Sequence, residues 1–280
     1  MKTLRFLCPL MAACTLLAIP SCGQGNKKRT SESGSEETTD TRADRHSPII
    51  VDLSSGYADI DIHKDSIQNI NIAFDSPGEE VLYGHLILPA DGPGNVRFSQ
   101  ITMPNGDTDG PFGRDISYDL TAKGTYTLSL GESLMQGDPY DGNFIVELHS
   151  GAKIPYEEPS GYFVRNDVDP TQPESLKINS QEEFENIFGM AATMSSRPSS
   201  IDFSRQFAIA VIGAPTDINT QYEVTDLIGK ANIITLVYRT ITGKKQSYTI
   251  RPFLLLTVDK RFNGEIRVVE QSSNTLAANE

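Results

Sequence analysis

Six residues in mid-chain, Asn105-Gly106-Asp107-Thr108-Asp109-Gly110, place side-chain oxygens at alternate positions and a glycine sixth. That spacing matches the first half of an EF-type calcium loop, with ligands at positions 1, 3 and 5 and a sharp turn at position 6. Position 12 is Ile116 where the motif needs a bidentate Glu, so Asp115 is the nearest substitute oxygen. A second acidic loop, Asp138-Pro139-Tyr140-Asp141-Gly142, is a further source of oxygens that a sandwich fold would bring near. The same residue types are ordinary turn formers. Calcium at Asn105, Asp107, Asp109 and Asp115 is the one cofactor expectation the sequence raises.

Histidine chemistry is thinly supplied. The four histidines are His46, His63, His85 and His149, all in the first 149 residues. A Ser-His-Asp or Cys-His site in the second half is thereby excluded, and no G-x-S-x-G accompanies the others. No C-x-x-C or H-E-x-x-H spacing suggests zinc, and phosphate-cradling glycine motifs are absent. Carboxylates for glycoside hydrolysis abound, but there is no Trp to stack on a sugar, only tyrosines such as Tyr57, Tyr83, Tyr118, Tyr126 and Tyr140. The expectation is a protein that is not an enzyme, with a carbohydrate-active enzyme the lesser alternative.

The formal net charge is −13 with a pI near 4.8, so nucleic acid is not an expected partner. The charge is unevenly divided. Residues 49–153 hold 16 acidic and 5 basic side chains, whereas residues 161–280 hold 14 and 12. The first stretch therefore suits cations or basic partners, beside the plain solubility that such charge also confers.

Lys2 and Arg5 precede an apolar stretch from Phe6 to Ile19, the pattern of a secretory signal over residues 1–21. Ile19-Pro20-Ser21-Cys22 resembles the lipobox of bacterial lipoproteins, in which the Cys thiol becomes a lipid thioether and the new N-terminus. Cys8 and Cys14 fall in the removed segment, leaving Cys22 as the single thiol of the mature chain. A lone thiol has no disulfide partner, and lipidation accounts for it. The resemblance implies a membrane partner through a lipid anchor such as palmitate, and a place in the cell envelope. Gly23 rather than Asp after Cys22 implies the outer membrane if the source is a diderm bacterium.

The elements that position these groups read as mostly β. Residues 22–48 contain one Ala and no larger apolar side chain, a composition expected to stay disordered as a tether. At that length its r.m.s. span is roughly 25–30 Å. Over residues 49–153 the hydrophobic period is two: 58–62, 69–72 and 115–120 alternate cleanly, and 49–53, 81–88, 95–102, 124–130 and 142–148 are further strands between Gly- and Pro-rich turns. About eight short strands predict an antiparallel β-sandwich or barrel. Residues 154–174 read as a Pro-rich connector, with 161–164 an edge strand. Residues 175–272 predict a small α+β domain, one helix on an antiparallel sheet, and 273–280 a tail. Ser180 with Glu183 forms a capping box before Phe184, Ile187 and Phe188, and Gly189 ends the helix. Strands follow at 175–179, 206–213, 220–228, 231–240, 246–250, 253–258 and 265–270, with Asn263-Gly264 a type I′ hairpin signal between the last two.

Two runs carry family resemblances. Lys177-Ile-Asn-Ser-Gln-Glu-Glu-Phe184, Ile201-Asp-Phe-Ser-Arg-Gln-Phe-Ala-Ile-Ala-Val211 and Tyr248-Thr-Ile-Arg-Pro-Phe253 resemble the domain of the protease-complex accessory subunit PrcB. That resemblance implies a lipoprotein that stabilises an envelope protease, with no catalytic residue of its own. Gly113-Arg114-Asp115-Ile-Ser-Tyr118, followed by Gly124-Thr-Tyr-Thr-Leu-Ser-Leu130, is similar to secreted sandwich modules that include inhibitors of g-type lysozyme. There an exposed loop plugs the enzyme's cleft, which would give Gly113, Arg114 and Tyr118 a binding role. The combined expectation is a protein-binding accessory module whose partner is another envelope or secreted protein, with lysozyme inhibition the alternative.

Overall fold

The computed structural model describes residues 47–271 apart from 67, 90–93, 134, 136, 169–173 and 192–197. Cys22, the signal and nearly all of the tether and tail lie outside the described residues. Everything described belongs to one compact unit.

The fold is mostly β, as the period-two patterning predicts. Strands β1 (Ile49–Val51), β3 (Ile70–Ser76), β5 (Arg97–Thr102), β6 (Thr108–Asp109) and β8 (Gly124–Gly131) form one sheet in the order β1-β3-β8-β5-β6. Facing it are β2 (Tyr57–Lys64), β4 (Glu80–Ile87), β7 (Asp115–Leu120) and β9 (Gly142–Lys153), with β9 between β2 and β4 and β7 beyond β4. Alternate residues of each strand point inward, so Ile72, Phe74, Leu82, Leu86, Leu128, Val146 and Leu148 fill a sandwich core. β1 departs from the antiparallel expectation and pairs with β3 in parallel, Ile49 opposite Ile72.

The later elements are β10 (Tyr162–Val164), β11 (Glu174–Ile178), α1 (Gln181–Ile187), β12 (Phe188–Met190), β13 (Gln206–Ile212), β14 (Thr216–Lys230), β15 (Ile233–Ile250), β16 (Phe253–Asp259) and β17 (Glu265–Gln271). The Ser180 hydroxyl accepts the Glu183 N–H at 3.2 Å, as a capping box requires, while Glu183 Oε2 reaches one residue further back and accepts the Asn179 N–H at 2.7 Å rather than that of Ser180. The helix stops one residue short of the apolar stripe. Phe188 is already extended and opens β12, because its ring packs on Phe184 and Phe253 from a strand position. Helix α1 and the β10–β12 pair cover one face of the β11-β13-β16 sheet, while β14, β15 and β17 cover the other. Buried on both faces, Phe207-Ala-Ile-Ala-Val-Ile212 reads as a continuous apolar run without alternation.

Two strand expectations are corrected. Residues 231–240 and 246–250 lie in one strand, β15. Asn263-Gly264 is not a hairpin: β16 pairs with β13, and β17 runs parallel to β15 in a different sheet. The connection instead packs where it crosses. Asn263 Oδ1 and the Gly264 carbonyl accept from Lys177 Nζ at 2.8 and 2.9 Å, and a Cβ on Gly264 would lie 2.6 Å from the Asn232 carbonyl.

The stretch before residue 154 and the stretch after 174 share a sheet. The last residues of β9 pair with β14, Ala152 opposite Gly229 and Lys153 opposite Ile228. Gly151 makes that meeting close, since a Cβ there would fall 2.6 Å from the Gly229 carbonyl oxygen. From this joint β15 and β17 lie back over the outer face of β4 and β9, where Tyr83, Val237 and Val269 form a small core of their own.

Candidate functional site

The outer face of β2-β9-β4-β7 carries the chain's polar chemistry, ordered in rows by the strand register. One row is Tyr57, His149, Tyr83 and Ser117; the next is Asp59, Glu147, His85 and Asp115. Period-two patterning puts all eight on one side, because Ala58, Leu148, Gly84 and Ile116 between them face the sandwich core.

The first row is sealed by the second half of the chain. His149 is fully buried, its Nδ1 is 3.1 Å from Thr235 Oγ1, and its ring centroid lies 4.9 Å from that of Tyr57. The Arg267 guanidinium sits 3.7 Å over the Tyr57 ring. His149 Nε2 lies 3.4 Å from Glu147 Oε1, a long contact of hydrogen-bonding type. It holds the half-buried Glu147 carboxyl below the usual carboxylate range against the opposing effect of burial, with smaller contributions from His85 and Arg267. Ser117 donates to Asp226 on β14 at 2.7 Å, and burial raises the Asp226 pKa. Lys230 pairs with Glu80 at 2.9 Å across the same joint.

The second row is partly open. Asp115 Oδ1 accepts from the Tyr83 hydroxyl at 2.5 Å and lies 2.6 Å from His85 Nδ1. Burial, with this bond to Asp115 second, pushes the Tyr83 hydroxyl far above its ordinary pKa. A histidine held by a buried carboxylate is oriented, as in a catalytic dyad. Among the described residues, however, the hydrogen-bond partner of that ring is Asp115, and no serine, threonine or cysteine hydroxyl or thiol bonds to it. The arrangement orients His85 through Asp115.

Beyond this row no described residue covers the face, and the ends of β2, β4 and β9 border an open groove of about 680 Å³. Ile87, Pro89 and Ile145 line it with Asp61, His63 and Asn143. Ile87 is 42% exposed. His63 Nδ1 is 2.8 Å from Asn143 Oδ1.

The residues singled out in the sequence are placed elsewhere. Asn105 and Asp107 sit in the turn between β5 and β6, where the Asp107 N–H donates to Asn105 Oδ1 at 3.0 Å and Asn105 Nδ2 donates to Asp107 Oδ2 at 2.7 Å. Asp109 Oδ1 accepts the Gly110 N–H. Asp115 is not gathered with them: it lies on the opposite sheet, engaged by Tyr83 and His85. No group of three His, Cys, Asp or Glu positioned for a metal ion occurs among the described residues. The stretch carrying Gly113, Arg114 and Tyr118 is a strand and its approach, not a protruding loop. The Gly113 carbonyl accepts from Phe98 N, Arg114 Nη2 donates to the Gly94 carbonyl, and the Tyr118 ring packs edge-on against Phe112.

Sequence reading missed the His85–Asp115 pair and the buried His149. Both strands bearing the first pair were legible, with Tyr83-Gly84-His85 plainly mid-strand, but register alone decides that Asp115 stands opposite His85. No family model, curated protein or solved structure matches the chain.

Proposed function

We propose that this chain is a lipid-anchored, non-enzymatic component of the cell envelope that binds another protein as an accessory module, in the manner of a subunit that stabilises an envelope protease or assembly. The observation carrying this reading is the open groove beside Ile87 and Ile145, on a face whose Tyr83 end the chain's own later strands cover. An apolar floor left uncovered on a rigid, acidic surface favours a macromolecular partner. The lipobox-like Ile19-Pro20-Ser21-Cys22 supports attachment through Cys22, with the outer membrane the destination in a diderm host. Two or more acyl chains hold a protein stably on a bilayer, and the tether gives the folded part freedom to reach a neighbour.

The test has two arms. Metabolic labelling with a palmitate analogue should mark the wild-type chain and not Cys22→Ala. Tagged wild-type protein recovered from detergent-treated envelopes should then bring down one stoichiometric partner. A chain that carries no lipid, or recovers no partner, defeats the reading. Because β14 is built onto β9, the pull-down uses point variants of the full chain; removing residues 175–270 would strip the cover from His149 and Tyr83.

A further inference from the structure

We infer that the groove at the ends of β2, β4 and β9 is a docking site for a protein segment that presents an arginine or lysine beside an apolar side chain. The inference rests on the accessory-module reading and names the chemistry of the partner.

The groove has two recognition elements. Ile87, Ile145 and Pro89 give an apolar floor, and a side chain buried there gains roughly 25 cal/mol for each Å² removed from water. Carboxylates border it: Asp61 in its wall, exposed Asp59 one row up, and exposed Asp65 at the end of β2. Asp61 has no hydrogen-bond or ion-pair partner among the described residues, whereas Asp59 accepts from the Tyr57 hydroxyl.

The nearby basic side chains leave Asp61 without a partner among the described residues, although His63 engages Asp65. His63 bridges Asn143 and Asp65, at 2.8 and 3.6 Å. His85 is turned to Asp115 and His149 is buried beside Glu147, while Arg267 lies over Tyr57 in the covered row. Residues 49–153 carry a net charge of −11, so this part of the chain as a whole attracts basic rather than acidic partners. A basic partner is therefore steered to this face, and one with an apolar neighbour to the basic residue gains the floor as well. An anionic or purely hydrophilic segment gains neither.

The experiment measures fluorescence anisotropy of labelled decapeptides against the chain from residue 22, carrying Cys22→Ala so that it stays in solution. One peptide pairs arginines with isoleucine and phenylalanine. A second replaces the arginines by glutamate, and a third replaces the apolar residues by serine. The first should bind at least about tenfold tighter than either other, and weaken as salt rises from about 50 mM to about 500 mM. Asp59→Asn with Asp61→Asn should cost about tenfold, and Ile87→Ser a comparable factor, each variant keeping the wild-type unfolding midpoint. Equal binding by the three peptides, or by wild type and the groove variants, overturns the inference. So does self-association in sedimentation that Ile87→Ser abolishes, since the occupant would then be a second copy. The same variants enter the envelope pull-down. A partner recovered equally by them rejects the groove and leaves the accessory reading standing; no partner recovered by wild type rejects that reading, whatever the peptides do.

Discussion

Arg267 on β17 lies over the ring of Tyr57 on β2, its guanidinium carbon 3.7 Å from the ring centroid, so residues 210 positions apart hold the two halves of the chain together. The same arginine is 3.5 Å from Glu265 and contributes to the low pKa of Glu147. Its planar cation faces an aromatic ring at a partly covered site, where such contacts are worth about 0.5–2 kcal/mol. Arg267→Ala should lower stability by that amount in urea unfolding. Arg267→Lys should recover only part of it, because an ammonium lacks the stacking plane. Equal stability of all three proteins would remove the contact from any account of the joint.

The joint depends on two glycines at closest approach. Gly151→Ala places a methyl group 2.6 Å from the Gly229 carbonyl oxygen, with backbone rather than a flexible side chain in the way. Overpacking of this kind costs about 1–3 kcal/mol. The expected result is a lower thermal midpoint and a broadened or split transition, as the sandwich and the later sheets cease to unfold together. A single sharp transition at the wild-type temperature would contradict the shared-strand description.

Lys64 is fully buried at the end of β2, its ammonium 3.3 Å from Glu132 and donating to the carbonyls of Ser66, at 2.8 Å, and Tyr140, at 3.4 Å. Removing Lys64 leaves Glu132, whose side chain keeps 16% exposure, without its partner in a largely desolvated place, at a cost of about 1–3 kcal/mol. Lys64→Met should show that loss in chemical denaturation. Adding Glu132→Gln should restore a substantial part, since the stranded charge is then gone. Additive losses in the double variant would show that the two groups do not interact.

Two carboxylates at the joint should respond to pH in opposite directions. Glu147 titrates lower in the folded chain than its ordinary 4.5, so its stabilising contribution is full above that value and is lost as pH falls through the folded pKa. Asp226 titrates above its ordinary 3.8 because burial penalises its charge, so it favours the folded state at low pH and its benefit is lost as pH rises through its folded pKa. At neutral pH Glu147→Gln should therefore destabilise. Asp226→Asn, which still accepts from Ser117, should be neutral to stabilising. Once the pH has fallen below the folded pKa of each carboxyl, the two variants should converge on wild type. Unfolding midpoints across pH 2.5 to about 8 measure both, and the same sign for the two variants at neutral pH would refute the assignment.

Local pattern alone carried a good part of the architecture. Residues 115–120 were legible as a strand to the residue because apolar and polar side chains alternate there, and Ser180 with Glu183 announced the helix start because both hydrogen bonds close within one turn. The proposed anchor at Cys22 is likewise a local reading, since a lipobox-like run is a linear pattern. What the pattern could not carry is every decision made between strands. Asn263-Gly264 has hairpin residues but joins strands of different sheets, because β16 is drawn between β13 and the apolar faces on both its sides while β17 finds β15. Asp115 looked like a loop oxygen beside Asp109; register places it across from His85 and under Tyr83 instead. The groove has no linear signature at all, because Asp61, Ile87 and Ile145 lie on three strands and become neighbours only through pairing. Composition and periodicity are properties of neighbouring residues, so the sequence by itself determined the kind of surface each strand has. Which surfaces meet, and which one stays open, was decided by long-range pairing and burial, whose energies depend on contacts that only the tertiary structure makes.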